Sequence, residues 1–184
     1  MRIGIDIDDV ITDTSITIKD YIEKNDPSGE IKKYIVDIMN GEPPAFIKDF
    51  VDENGLKFFQ KTTIKHDAIR VINKLYDSGN EIYIITARGD KSFKGSEKFT
   101  LDFLKNNNIK FTKIFFNSYE KAKICKDNDV EIMIDDSVKH CTEIFKENIK
   151  SILFTSMINK NIDIEIPRVN DWLELEKIFV KEIL

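Results

Sequence analysis

The fold is decided by the stretch Arg2-Ile3-Gly4-Ile5-Asp6-Ile7-Asp8-Asp9. Its apolar residues predict a buried strand, and that strand runs directly into three carboxylates. Alternation along an extended chain places Asp6 and Asp8 on the same side. At an effective dielectric of roughly 20, two like charges about 4 Å apart repel by about 4 kcal/mol. The stretch is therefore either a solvated surface turn or a cation site, and an all-oxygen ligand set favours magnesium.

A second apolar run also ends in carboxylates, in Ile132-Met133-Ile134-Asp135-Asp136-Ser137. A helix is predicted to start near Ser137, and an Asp or Ser at that point is a good helix N-cap. Capping explains one of the two aspartates and leaves the other without a structural reason. Two acidic strand ends in one parallel sheet favour a metal site that both of them share.

Short apolar runs predict the strands of one sheet, at residues 3–7, 81–85, 113–116, 131–134 and 151–154. Amphipathic helical patterns lie between the later runs. Ala68, Val71, Ile72 and Leu75, for example, recur at the spacing of one helix face. We therefore expect an α/β fold, a Rossmann-like parallel sheet of about five strands with helices on both faces. Ligands of such sheets bind beyond the carboxyl ends of the strands.

The interval at residues 14–65 breaks the alternation of strands and helices. A structureless loop of this length is unusual, and residues 31–39 carry an apolar helical spacing of their own. Gly41-Glu42-Pro43-Pro44 predicts the end of that helix, and Asn54-Gly55 predicts another break. The interval is interpreted as a small helical cap inserted after the first strand. The predicted domains are a catalytic core at residues 1–13 and 66–184 and a cap at residues 14–65.

Two weaker signals lie at the ends of the second and third predicted strands. Ile84-Ile85-Thr86-Ala87-Arg88 closes one strand with a hydroxyl residue, which by itself is more often structural. In Asn117-Ser118-Tyr119-Glu120-Lys121, Ser118 is a possible N-cap, which would place Lys121 in the first helical turn. A cation there opposes the helix dipole by roughly 0.3–1 kcal/mol. A bound phosphate would make the placement favourable, whereas a solvated lysine is the simpler interpretation.

The order of these motifs along the chain resembles that of the haloacid dehalogenase-like phosphohydrolases, over about residues 2–180. The interval at residues 14–65 is similar to the cap of that family. Within the family, Glu81-Ile82-Tyr83-Ile84-Ile85-Thr86-Ala87-Arg88 and Asn170-Asp171-Trp172 look like the 5′-nucleotidase, deoxyribonucleotidase-type branch. One departure is Asp9, which stands where the family commonly has glycine, so the turn after the second aspartate is uncertain.

The resemblance implies a role for each acidic residue. Asp6 would be the nucleophile that forms an aspartyl-phosphate. Asp8 would protonate the leaving oxygen and then deprotonate the attacking water. The implied cofactor is Mg²⁺, held by Asp6, the backbone carbonyl of Asp8 and Asp135, with Asp136 acting directly or through another ligand. A dehalogenase does not need an acid at the position of Asp8, so phosphoryl hydrolysis is favoured.

The resemblance also implies two phosphate-binding residues. Thr86 and Lys121 would hold the phosphoryl oxygens and neutralise their developing charge. Lys123 is a rival for the lysine role, and Lys121 is preferred because it is nearer the helix start.

Substrate choice would come from the cap. Phe46, Phe50, Phe58 and Phe59 could stack on a nucleobase, as aromatic side chains do on single bases. Phenylalanines at helical spacing are, however, more often core residues, so both interpretations stay open.

Composition restricts the classes of function. The 184 residues carry 28 basic and 33 acidic side chains, a net charge of −5, which argues against binding a nucleic-acid polymer. No apolar stretch is long enough for a membrane span. The start of the chain meets carboxylates too early for a signal peptide, and Cys125 and Cys141 form no CxxC motif. We therefore expect a cytoplasmic protein with two reduced thiols.

The predicted function is a magnesium-dependent phosphomonoester hydrolase whose partner is a small phosphorylated substrate, most simply a nucleoside monophosphate. A sugar phosphate or another small phosphomonoester is the nearest alternative. A phospho-accepting receiver domain of signalling proteins is an alternative of a different class. It combines similar residues, but its acidic pair comes first, its acceptor comes on a later strand, and it lacks a long insertion after the first strand.

Overall fold

A six-stranded parallel sheet forms the centre of the computed structural model, which describes residues 1–26, 28–39, 44–91 and 94–183. Its strands are β1 (Arg2–Ile5), β2 (Glu81–Ile85), β3 (Lys113–Phe115), β4 (Ile132–Asp135), β5 (Lys150–Phe154) and β6 (Arg168–Val169). They lie in the order β3-β2-β1-β4-β5-β6, and every pairing is parallel. The five predicted strands are confirmed. The sixth is two residues long, too short for an apolar period to reveal it.

Helices lie between successive strands from β1 to β5 and again after β6. They are α1 (Thr14–Asn25), α2 (Ile35–Met39), α3 (Lys48–Lys61), α4 (Ala68–Asp77), α5 (Ser96–Asn106), α6 (Lys121–Asp127), α7 (Val138–Lys146) and α8 (Trp172–Ile183), with short 3₁₀ turns at Ile31–Tyr34 and Ala45–Ile47. Within the ranges given above, no helix is both long and apolar enough to cross a membrane.

Alternation along the strands gives the sheet two apolar faces. Ile82 and Ile84 of β2 belong to the main core, where α4 and α8 supply buried side chains such as Ile72 and Phe179. Ile85 of the same strand belongs to a second cluster on the opposite face, with residues of α6 and α7. Side chains that alternate between two covered faces explain why these strands read as continuous apolar runs. The predicted helices on both faces are confirmed.

The position of β1 at the centre of the sheet brings the acidic strand ends together. β1 pairs with β2 on one side and with β4 on the other. The backbone N–H of Asp6 donates to the carbonyl of Ile134 at 3.0 Å, which extends the β1–β4 pairing as far as the carboxylates. From β1 the chain proceeds through β2 to β3 on one side and then crosses to β4 on the other, so the strand order reverses between β1 and β4. Open α/β sheets bind their ligands at such a point.

The segment between β1 and α4 has a hydrophobic cluster of its own. Its buried members are Ile18, Ile22, Ile35, Ile38 and Phe58, drawn from α1, α2 and α3. The two ends of the segment pair with each other: the N–H of Asp13 donates to the carbonyl of Thr63 at 2.9 Å, and the N–H of Lys65 donates to the carbonyl of Ile11 at 2.8 Å. The division of the chain at residues 13 and 66 stays a prediction.

One predicted break in this segment is wrong, and part of the other lies outside the described residues. Asn54-Gly55 does not end a helix, because α3 continues through it to Lys61. The Asn54 side chain donates to the carbonyl of Phe50 at 2.8 Å and accepts from the Tyr21 hydroxyl at 2.8 Å, so packing against α1 keeps it helical. The predicted break at residues 41–43 falls where the structure describes nothing.

Candidate active site

Lys121 joins the acidic ends of the two central strands. Its Nζ donates to Asp6 Oδ1 at 2.7 Å and to Asp135 Oδ2 at 2.6 Å. The side chains of all three residues are at most 6% exposed. Lys121 is the first residue of α6, and the sheet edge on which that helix starts is the edge where β1 and β4 end. A buried ammonium between two buried carboxylates compensates part of their repulsion.

The surroundings of Asp6 and Asp135 shift the pKa values of these two carboxyl groups in opposite directions. Burial raises the pKa of Asp6, and the neighbouring charges of Asp135 and Asp8 raise it further, against the attraction of Lys121. Burial also opposes ionisation of Asp135, but Lys121 and His140 outweigh it and lower the pKa of Asp135 to about 2. The pKa of Lys121 is raised, since the two carboxylates outweigh its desolvation. Lys121 therefore stays protonated at neutral pH.

Asp136 adds a third carboxylate to the same edge. Oxygen atoms of Asp6, Asp135 and Asp136 lie within 4.8 Å of one another. Burial, together with the charges of Asp135, Asp9 and Asp6, raises the pKa of Asp136 well above its ordinary value. An all-oxygen cluster with unbalanced negative charge matches the donor preference of Mg²⁺. The three side chains predicted to hold a metal are thus brought together.

The Asp8 carboxylate contacts Arg88, a residue for which the sequence predicted no role. Arg88, which follows β2, donates to Asp8 through Nη2 at 2.6 Å and through Nε at 3.0 Å. The Thr14 hydroxyl donates to the same carboxylate at 2.6 Å. Burial opposes ionisation of Asp8, but Arg88 and Thr14 outweigh it and lower the pKa of Asp8. The predicted metal contact of Asp8 uses its backbone carbonyl. The hydrogen bonds from Arg88 and Thr14 involve only the side-chain oxygens of Asp8.

A signal for Arg88 was present in the sequence. Arg88 stands two residues after Thr86 at the end of an apolar strand, and its side chain is only 2% exposed. A cation that follows a buried strand at an edge rich in carboxylates is a candidate partner for one of them.

Asp9 adopts a left-handed backbone conformation at the position where the family commonly has glycine. Its φ is +58°, in the left-handed region that favours glycine but that Asp tolerates better than most residues. Its Oδ1 accepts a hydrogen bond from the backbone N–H of Ser15 at 2.8 Å, which ties the turn to the first turn of α1. The turn after the second aspartate of the motif, where the family commonly has glycine, is therefore formed here with Asp9.

The two predicted phosphate-binding residues lie in the segments that follow β2 and β3. Thr86 is fully buried, and its hydroxyl accepts from the backbone N–H of Arg88 at 3.1 Å. Lys121 lies beside the carboxylates, whereas the Lys123 side chain is 68% exposed and pairs with Asp127. The structure therefore places Lys121, not Lys123, at the site. The predicted N-cap at Ser118 is wrong, because the residue before α6 is Glu120 and the Ser118 hydroxyl donates to the carbonyls of Phe115, which ends β3, and Phe116.

A cavity of about 650 Å³ opens above the carboxylates. One wall comes from the inserted helices and is largely apolar, and it includes Ile18, Ile38, Phe58 and Phe59. Residues from outside the inserted helices complete the lining and include Tyr119, Ser137, His140, Ile158 and Ile162.

Of the four phenylalanines considered for base contacts, only Phe58 and Phe59 line this cavity. The ring of Phe46 is packed against Tyr34, with the residue 66% exposed, and Phe50 packs near Phe58.

A central parallel sheet, acidic ends on β1 and β4 and a helical insertion after β1 define this chain as a haloacid dehalogenase-like hydrolase. Solved structures of the same fold include a "predicted phosphatase" from Clostridium acetobutylicum, with 17% identity, 98% of each chain covered and a TM-score of 0.66. A haloacid dehalogenase-like hydrolase from Streptococcus pneumoniae has 19% identity, 97% of each chain covered and a TM-score of 0.61.

A D,D-heptose 1,7-bisphosphate phosphatase from B. bronchiseptica, complexed with magnesium and phosphate, has 12% identity and a TM-score of 0.52, with 67% of this chain and 87% of that chain covered. Identities this low establish the fold alone. The chain belongs to the family described as "5' nucleotidase, deoxy (Pyrimidine), cytosolic type C protein", which matches residues 1–183. It is therefore a phosphoric monoester hydrolase. No curated protein sequence gives a significant match.

Proposed function

We propose that this protein is a magnesium-dependent phosphatase that hydrolyses (deoxy)nucleoside monophosphates through an aspartyl-phosphate on Asp6. The observation that carries the proposal is the carboxylate cluster of Asp6, Asp135 and Asp136, with oxygens within 4.8 Å of one another and Lys121 beside them. It forms one end of a cavity large enough for a mononucleotide. The family match supports the substrate class.

The donor set fits Mg²⁺. Asp6, Asp135 and Asp136 would supply carboxylate oxygens, and Asp8 would supply its backbone carbonyl. When bound, the ion supplies positive charge that lets a phosphate dianion approach these carboxylates. The neighbour solved with magnesium and phosphate supports this assignment.

Two carboxylates would perform the chemistry. An oxygen of Asp6 attacks phosphorus while the bond from phosphorus to the leaving oxygen breaks, and the protonated form of Asp8 gives that oxygen its proton. Because Arg88 and Thr14 lower the pKa of Asp8, this protonated form is the minor one of the free protein at neutral pH. Asp8 then takes a proton from water as the water attacks the aspartyl-phosphate, which releases phosphate and regenerates Asp6. The contact with Lys121 supports this role, because it fixes the orientation of the Asp6 carboxylate.

Lys121 and Thr86 would hold the phosphoryl group. An ammonium has three donors, and Lys121 directs two of them to Asp6 and Asp135, so the third is available to a phosphoryl oxygen. The Thr86 hydroxyl accepts from a backbone N–H, which leaves its own proton to be donated. Both groups would stabilise charge that develops on the transferred group.

The inserted helices would select the substrate. We propose that residues 14–65 act as a cap, which their separate hydrophobic cluster and their paired ends support. The aromatic and aliphatic wall formed by Phe58, Phe59 and Ile38 suits the flat face of a nucleobase. A site covered by such a wall favours a mononucleotide over a nucleic-acid polymer. The word "cytosolic" in the family's description supports a cytoplasmic location.

A phosphatase screen tests the proposal. The protein, with Mg²⁺, is assayed on nucleoside 5′- and 3′-monophosphates and on sugar phosphates, beside Asp6→Asn and the control Asp20→Asn, an exposed carboxylate of α1. We expect turnover of nucleoside monophosphates that chelator and Asp6→Asn abolish and Asp20→Asn preserves. A preference for sugar phosphates would support the alternative substrate class. Absence of turnover on the whole panel, or an active Asp6→Asn, would overturn the proposal.

A further inference from the structure

Asn159 joins the loop after β5 to the end of β4, beside the carboxylate cluster. Its side-chain nitrogen donates to the backbone carbonyl of Asp136 at 2.7 Å and to that of Phe154 at 2.8 Å. Its Oδ1 accepts from the backbone N–H of Ser156 at 3.1 Å and from Arg168 Nη1 at 2.7 Å. The residue is 1% exposed. One buried amide therefore holds the end of β4 against the loop that follows the neighbouring strand.

These hydrogen bonds permit a single orientation of the Asn159 amide. An asparagine side chain has two N–H donors and an oxygen with two lone pairs, and Asn159 uses all of them. Rotation of the amide by half a turn would direct its oxygen at two carbonyl oxygens and its nitrogen at two donors. The side chain is thus fixed by its hydrogen bonds as well as by its burial.

Arg168 of β6 supports this orientation from the edge of the sheet. Besides Asn159 Oδ1, its guanidinium donates to the backbone carbonyl of Asn159 at 3.3 Å and to that of Ile162 at 2.6 Å. These oxygens are uncharged, so the contacts organise the loop and do not neutralise a carboxylate. The planar guanidinium suits a fixed set of acceptors. Asn159 and Ile162 line the cavity, so the loop that Arg168 holds is part of the site.

The Asp136 carboxylate lacks the side-chain contacts that hold its neighbours in the cluster. The carboxylates of Asp6 and Asp135 both accept hydrogen bonds from Lys121. Among the described residues, none donates a hydrogen bond to the carboxylate of Asp136. Its direction is therefore set by its own torsions and by its backbone, and Asn159 holds the carbonyl of that backbone.

We propose that Asn159, oriented by Arg168, is a positioning residue that raises the affinity of the carboxylate cluster for Mg²⁺ by holding Asp136 in place. A ligand that is already fixed loses less freedom when the ion binds, so binding is tighter. Removal of a residue that orients a metal ligand typically weakens metal binding by about 10- to 100-fold. The inference rests on the metal site of the proposed function, and it extends that site to the loop after β5 and to β6.

Calorimetric titration of the protein with Mg²⁺ alone tests the inference, and urea unfolding in chelator measures the stability of each variant separately. For Asn159→Ala we expect the Kd for Mg²⁺ to rise about tenfold. The matched control is Asn80→Ala. Asn80 is also a buried asparagine that donates to a backbone carbonyl, that of Leu75 at 2.8 Å, but it lies before β2, at the opposite edge of the sheet. This control should lose stability and still bind Mg²⁺ as the wild type does.

Arg168→Met separates positioning from charge. The substitution removes a positive charge, and by electrostatics alone this would tighten the binding of a cation. Loss of the support for Asn159 should instead weaken binding, in the same direction as Asn159→Ala and by a smaller factor. The sign of the change in Kd therefore distinguishes the two effects.

The outcomes separate this inference from the proposed function. A wild-type protein that binds no Mg²⁺ would overturn the proposed metal site, and the inference with it. If the wild type binds Mg²⁺ but Asn159→Ala binds it equally well, or if Asn80→Ala is weakened to the same extent, only the inference is overturned. Unchanged or tighter binding by Arg168→Met would overturn it too, and this variant decides the question if Asn159→Ala does not fold.

Discussion

The Lys121 ammonium lies 2.7 Å from Asp6 Oδ1, although 115 positions separate the two residues in the chain. The same nitrogen reaches Asp135 at 2.6 Å, so one cation bridges the acidic ends of two neighbouring strands. Removal of either carboxylate or of the lysine leaves buried charge without its partner. Stability and proposed activity should therefore depend on the same three side chains.

Replacement of Lys121 by methionine should destabilise the fold by about 3–5 kcal/mol, because two buried carboxylates lose their cation. Phosphatase activity should also fall at least about 10²-fold. Urea unfolding in chelator and an assay with Mg²⁺ measure the two effects. Lys123→Met is the matched control, since Lys123 lies on the same helix with an exposed side chain. Equal behaviour of the two variants would contradict the placement of Lys121.

Addition of Mg²⁺ should raise the unfolding temperature, because a ligand that binds the folded state at about 100 times its Kd stabilises it by about 2.7 kcal/mol. Asp136→Asn should weaken this response, since it removes one carboxylate of the cluster. In chelator the same variant should be no less stable than the wild type, because burial and the neighbouring negative charges disfavour the ionised form of Asp136 and raise its pKa. Thermal melts across a Mg²⁺ titration measure both effects, and an unchanged response would count against the cluster as a metal site.

Two substitutions at Asp9 separate backbone strain from the loss of a hydrogen bond. Asp9→Gly and Asp9→Ala both remove the contact with the Ser15 N–H. Only alanine must also hold φ near +58°, so Asp9→Ala should be less stable than Asp9→Gly by about 1 kcal/mol. Urea unfolding of the pair measures the difference. Equal stabilities would show that the turn relaxes out of the left-handed region.

The ion pairs between α4 and α8 should stabilise the fold in a pH-dependent manner. Hydrogen bonds from Arg70 and Lys74 lower the pKa of Glu176 from its ordinary 4.5 to about 2. The stabilisation is thus complete above pH 4.5 and is lost as the pH falls toward 2. Arg70 and Lys74 are about half exposed, so the effect is small and weakens in salt.

The test compares Glu176→Gln with the wild type. The variant should be less stable at pH 7, and the difference in the free energy of unfolding should shrink as the pH is lowered below 4.5. A difference that stays constant across this range would show that the carboxylate of Glu176 is not the source of the effect.

Local patterns in the sequence were sufficient for much of the fold and for the acidic part of the site. Apolar runs that end in carboxylates predicted β1 and β4 because burial and strand alternation are properties of neighbouring residues. Lys121 was placed in the first turn of its helix, where the structure has it, although the cap expected at Ser118 does not form. Local signals failed where a tertiary contact overrides them, as at Asn54, whose hydrogen bonds keep α3 continuous.

The sequence by itself determined which strand ends are acidic, and the tertiary structure alone decided what each carboxylate contacts. Two lysines two positions apart point to different sides of a helix, and only the packing of α6 on the sheet turns Lys121 inward. Asp8 and Arg88 are 80 positions apart, and they meet because β1 and β2 are neighbours in the sheet. A contact between distant segments depends on how the elements pack, and that information is not contained in the local spacing of residues along the chain.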